Sequence, residues 1–101
     1  MLFTRFLTEL IGTFVFIGTI LVTGEALPSA LALLTAIYFG GKISGGHFNP
    51  AVSTAFFIKG NITGRTWATY VVAQVLGGIM AYAWLCYTAG TRRQLLTATK
   101  I

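Results

Sequence analysis

The sequence alternates long apolar runs with short polar breaks, and the length of each run carries the first structural information. The opening run covers about residues 2–23; Arg5 and Glu9 interrupt it, and Thr23-Gly24-Glu25 closes it. A second run covers about residues 28–41, starting at Pro28, a residue suited to a helix's first turn, and fading at Gly40-Gly41-Lys42. A third covers about residues 65–89 and holds no charge from Trp67 to Ala89. A bilayer-spanning helix needs roughly 20 predominantly apolar residues. The three runs therefore predict three membrane-crossing helices, the second somewhat short for a complete crossing, followed by a polar tail over residues 90–101.

Between the second and third runs, over about residues 42–60, the pattern changes character. A glycine-rich polar stretch from Gly40 to His47 leads through Phe48 into Asn49-Pro50 and the apolar segment Ala51 to Ile58. Asn49 can cap a helix N-terminus, Pro50 fits the first helical position, and Gly60, just after Lys59, can end the helix. At about 1.5 Å of rise per residue, roughly ten residues reach halfway across the hydrocarbon. The segment reads as a re-entrant loop followed by a half-helix.

Irregular backbone at membrane depth is tolerated only within protein or beside a watery cavity, because an unpaired polar group in hydrocarbon costs several kcal/mol. The carbonyls of Gly45, Gly46 and His47 are therefore candidate acceptors along a wet path, and the Asn49 side-chain amide a candidate donor where the half-helix begins. The helix N-terminus contributes about half a positive elementary charge, a field that draws water oxygen toward it and opposes cations and protons. Ala51 is small enough for a partner helix end to approach.

Composition narrows the classes. Of 101 residues, 55% are hydrophobic and 9% charged, against about a quarter charged in soluble domains, so a water-soluble surface is excluded. The net charge of +5 does not point to nucleic acid, since Arg5, Lys42, Lys59, Arg65, Arg92, Arg93 and Lys100 mostly flank the apolar runs, as interfacial cations do. With four of these toward one side and three toward the other, the orientation bias is weak. A cleaved signal peptide is disfavoured because Glu9 opens the stretch from Leu10 to Val22 and no Ala-x-Ala site follows. Cys86 is the sole cysteine and reads as a small apolar filler. Small residues recur every fourth position at Ala32, Ala36 and Gly40 and again at Thr69, Ala73, Gly77 and Ala81, two grooves for close helix contact.

The stretch Ile43 to Ser53, with Ser44-Gly45-Gly46-His47-Phe48-Asn49-Pro50-Ala51-Val52 at its heart, resembles the first signature loop of the major intrinsic protein family, the aquaporins and aquaglyceroporins. Fainter agreement extends along the chain: Glu9-Leu10-Ile11-Gly12-Thr13 is similar to the family's first helix and Tyr70 to Gly77 to its third. The resemblance implies a fold of two inverted repeats, each of three helices and one half-helix, of which this chain supplies one. It implies that Glu9, an acid that is costly inside a spanning segment without a partner, holds the re-entrant loop around His47. Gln74 is expected to make an internal hydrogen bond of the same supporting kind. His47 reads as a loop brace rather than a metal ligand, no cluster of ligands accompanying it. The chain departs from the family pattern in carrying no second Asn-Pro-Ala loop and no downstream pore arginine. Twenty residues before Asn49, where aquaporins usually place a bulky aromatic, stands Ser29; in that register the constriction is wider and more polar.

The reading is an all-α, multi-pass integral membrane protein: three transmembrane helices plus one re-entrant half-helix, a single aquaporin-like half repeat over residues 1–101. The expected function is passive passage of water or small neutral solutes, with no covalent chemistry and no cofactor, and with a homo- or hetero-oligomeric partner in the lipid bilayer supplying the second half. Asn49, Pro50, Ala51, Gly45, Gly46, His47, Ser29 and Leu33 are the expected pore residues, supported by Glu9 and Gln74. Two rivals are a truncated, non-conducting remnant and a small dual-topology proton-coupled exporter. The exporter leaves the Asn-Pro-Ala loop unexplained and calls for four full spans.

Overall fold

A computed structural model describes residues 1–98. Its four helices are α1 (Leu2–Thr23), α2 (Ala26–Ser44), α3 (Pro50–Lys59) and α4 (Gly64–Ala98), with no strand among the described residues. At about 1.5 Å per residue they measure roughly 33, 28, 15 and 52 Å. Thus α1, α2 and α4 are long and apolar enough to cross a bilayer, whereas α3 reaches only halfway.

The ends of α2 differ from the pattern-based bounds. It starts at Ala26, so Pro28 falls in the first turn, where its missing N–H deprives no acceptor. It continues through Gly40 and Gly41, read as breakers, to Ser44, and Gly40 serves packing instead. A Cβ on Gly40 would lie 2.9 Å from both the Phe48 ring and the γ-methyl of Thr8. The described part of the segment expected as a polar tail is helical: α4 runs through Gly90, Arg92 and Arg93 to Ala98, polarity having marked the end of the apolar span and not of the helix. Thr99, Lys100 and Ile101 lie outside the described residues, and with them one of the seven basic flanks.

Helix α1 lies between α2 and α4, and α3 packs on α4. The α1–α4 contact uses the small-residue row, Ala73, Gly77 and Ala81 all being buried. A Cβ on Gly77 would stand 2.6 Å from the Leu10 carbonyl oxygen, so only a glycine lets the two backbones come this close. On α1, Gly12 gives the Phe48 ring its seat, and a Cβ there would collide with the ring. The interior is polar for its size: Glu9, Ser53 and Gln74 stand beside Tyr70 and Phe48 among the largest fully buried side chains. Most large aliphatic and aromatic residues point outward, as does Cys86. This distribution suits a molecule solvated by lipid, where helices associate by close packing and interhelical hydrogen bonds rather than by expelling water.

Candidate functional site

The loop after α2 is built by three consecutive choices. Gly45 closes the helix in the left-handed conformation (φ 94°), its N–H donating to the Gly41 carbonyl at 2.9 Å. Gly46 is left-handed as well (φ 68°), and a Cβ on it would sit 3.4 Å from the Cα atoms of Ile37 and Gly41, so the loop doubles back onto α2 where a side chain would be crowded. Phe48 then takes φ 53°, uncommon for a bulky residue.

What holds this backbone is Glu9. Its Oε2 accepts from the Ser44 hydroxyl at 2.6 Å and the His47 amide at 3.1 Å; its Oε1 accepts from the Phe48 amide at 2.7 Å and Gln74 Nε2 at 2.8 Å. A fully buried carboxylate is tolerable only with such compensation, and charge-assisted bonds of this kind are about twice as strong as neutral ones. The Gly46 amide goes to the Ser44 hydroxyl at 3.3 Å, and the Ser44 carbonyl accepts from the Tyr70 hydroxyl at 2.5 Å. The N–H groups of Gly45 through Phe48 are thus all turned inward, while the carbonyls of Gly45, Gly46 and His47 accept no hydrogen bond among the described residues.

The His47 ring packs beneath the loop. Its Nδ1 is 2.8 Å from Ser53 Oγ, which accepts from Gln74 Nε2 at 2.8 Å. The ring stacks on Phe56 with centroids 4.8 Å apart and meets Tyr70 edge-on at 5.1 Å. Loop, half-helix and α4 are thereby joined through one residue. The middle and last turns of α3 are fixed to α4 by Trp67 Nε1 donating to Thr54 Oγ1 at 3.0 Å and by the stacked Phe57–Trp67 pair at 5.1 Å.

Asn49 caps α3 from an extended backbone (φ −159°, ψ 124°), its Oδ1 accepting from the Ala51 amide at 2.8 Å. With the oxygen committed to the cap, the amide's NH2 end is the free one, and Asn49, Pro50 and Ala51 are all exposed. Ser29 and Leu33 are half-buried on α2, in the four-residue row that continues through Ile37 to Gly41 beneath Gly46. Leu33 is about 12 Å and Ser29 about 18 Å along the helix from Gly41. Ser29 therefore shares the row without reaching the loop, and its hydroxyl donates to the Glu25 carbonyl at 2.7 Å.

Three residues of the network escape the pattern reading: Ser44, Ser53 and Tyr70. The available signals are spacing alone, Ser53 four residues after Asn49 on the half-helix and Tyr70 four before Gln74 on α4.

The profile of the family described as major intrinsic protein matches residues 20–100. The chain is 43% identical over 88 residues to glycerol uptake facilitator protein-like 6 of Lactiplantibacillus plantarum, covering 78% of this chain and 41% of that protein. It is 50% identical over 60 residues to aquaporin Z of Brucella melitensis (59% of this chain, 26% of the relative). With aquaporin NIP1-1 of Zea mays it shares 39% identity over 82 residues (81% and 29%). The chain thus spans less than half the length of these curated relatives. A profile match over most of the sequence, running through the very loop that Glu9 holds, settles the kinship: the chain is an integral membrane protein and belongs to the major intrinsic protein family.

Proposed function

We propose that this chain forms one half of a membrane channel through which water or small neutral solutes pass passively. The observation that carries the reading is the sorting of hydrogen-bonding groups in the re-entrant loop. Glu9 and Ser44 take up the loop amides on the protein side, leaving the carbonyls of Gly45, Gly46 and His47 as a row of acceptors and the Asn49 NH2 group as one oriented donor. A passing hydroxyl or water donates to the carbonyls in turn and accepts from Asn49, while the positive end of α3 opposes cations. Leu33 and Ser29 continue the wall along α2, and Glu9 and Gln74 keep the loop in place.

The same sorting calls for a partner. Asn49, Pro50 and Ala51 are exposed, and unpaired polar groups facing lipid cost several kcal/mol. A second repeat of inverted orientation covers this face, whichever polypeptide supplies it, and the small Ala51 allows its close approach. Names among the relatives point to both glycerol and water, which keeps the solute class at small and neutral. A proton-coupled exporter fits less well, since Glu9 is wholly buried and engaged by four donors, the surroundings of a brace.

Osmotic swelling of vesicles containing the purified protein, with water and glycerol tested separately, examines this reading. Swelling faster than in protein-free vesicles for at least one of the two is expected. Rates no faster than in protein-free vesicles for either, or substrate-driven proton flux abolished by Glu9→Gln, would count against it.

A further inference from the structure

Helix α4 outlasts the membrane, and the place where it emerges has a composition of its own. From Thr66 to Thr91 it carries no charge, and Arg65 and Arg92 bracket that stretch. Their separation of 27 residues is about 40 Å of helix, close to the ~40–45 Å thickness of a bilayer including its headgroups. Trp84 and Tyr87, exposed and with ring centroids 5.9 Å apart, lie one to two turns below Arg92, the depth at which amphipathic aromatic rings settle. This ruler sets the Arg92 and Arg93 guanidiniums at the level of lipid phosphates.

At that level the structure has a cavity of about 460 Å³, walled by Arg92 and Arg93, with Leu85, Leu96 and Val22 of the last turn of α1 as its apolar side. Neither arginine side chain makes an ion pair or hydrogen bond among the described residues. Two guanidiniums with no acidic partner among the described residues, above an apolar wall, match a phosphate on a hydrocarbon stem. We propose that this cavity binds the headgroup of an anionic glycerophospholipid, the phosphate held by Arg92 and Arg93 and the upper acyl chain lying against Val22 and Leu85. A zwitterionic headgroup satisfies the site less well, because its ammonium group offsets the charge that the two arginines seek. Arginine suits the task through its planar fork of donors.

The test uses the full chain purified in detergent and titrated with phosphatidylglycerol, phosphatidylcholine or inorganic phosphate, lipid-bound species being counted by native mass spectrometry. Phosphatidylglycerol is expected to bind in preference to phosphatidylcholine, and inorganic phosphate to displace neither. Since each basic residue near the surface contributes appreciably to anionic-lipid attraction, the Arg92→Gln/Arg93→Gln double variant should reduce the preference about ten-fold or more. Lys59→Gln, on α3 away from this cavity, should leave it unchanged. An undiminished preference in the double variant, or a preference lost equally in Lys59→Gln, would overturn the assignment. Displacement of the lipid by millimolar inorganic phosphate would overturn it in favour of a free-phosphate site.

Discussion

Phe48 is tied to α1 at two points: its amide donates to Glu9 at 2.7 Å across 39 residues of sequence, and its ring lies over Gly12, one turn further along the same helix. One contact is polar and the other steric, and together they fix a residue whose backbone is left-handed (φ 53°). Removing either leaves the re-entrant loop with a conformation it has little intrinsic reason to keep.

Glu9→Leu strands four donors in the interior: the Ser44 hydroxyl, the His47 and Phe48 amides and the Gln74 amide. At about 1–3 kcal/mol for each unsatisfied buried group, the loss is several kcal/mol, with Glu9→Gln intermediate because it keeps one accepting oxygen. Thermal unfolding in detergent should rank wild type above Gln above Leu. Hydrogen exchange at Gly46, His47 and Phe48 should quicken in the same order. A melting temperature and loop protection unchanged in the Leu variant would remove the brace.

At Gly12 a methyl group meets the Phe48 ring. Gly12→Ala should destabilise the fold by about 1–3 kcal/mol, the usual cost of overpacking. Combining it with Phe48→Ala should cost less than the sum of the two single changes, since the added methyl then occupies space the ring has left. Strict additivity in a double-mutant cycle would show that the two positions do not share the contact.

Gly77 and Gly78 form a matched pair. A Cβ on Gly77 stands 2.6 Å from a backbone oxygen of α1, which cannot swing aside as a side chain would, whereas nothing lies within 4 Å of one on Gly78. Gly77→Ala should therefore loosen the α1–α4 contact and lower the melting temperature. Gly78→Ala should be neutral or gain up to about 1 kcal/mol from helix propensity. Equal effects would mean that the helices are not packed in this register.

The half-helix is legible in the sequence because its two ends are written in residue types, Asn49-Pro50 at one and Lys59-Gly60 at the other. Glu9 is legible as an acid in need of a partner, since a carboxylate within an apolar run is expensive. The set of partners is not, because Ser44, Ser53 and Tyr70 are ordinary residues until the loop folds back on itself. The end of α2 differs from the pattern at Gly40-Gly41, a glycine pair of the kind that normally weakens a helix, where Gly40 makes room for Phe48 and Thr8. The helical continuation past Ala89 escapes for a different reason: hydropathy marks where lipid ends, and nothing in Gly90 to Ala98 compels a helix to end there too.

The central claim, that the free amide of Asn49 serves the passing solute, is tested most directly by solute flux in Asn49→Asp. Aspartate caps helices as well as asparagine does, so the bond from the Ala51 amide and the fold are retained, while the NH2 donor is replaced by a charged acceptor. In vesicles of matched protein content, swelling driven by the permeant solute should fall about five- to ten-fold, the equivalent of one lost hydrogen bond of ~1 kcal/mol or slightly more, with membrane insertion and melting temperature unchanged. Flux and ion leak indistinguishable from wild type would contradict the account.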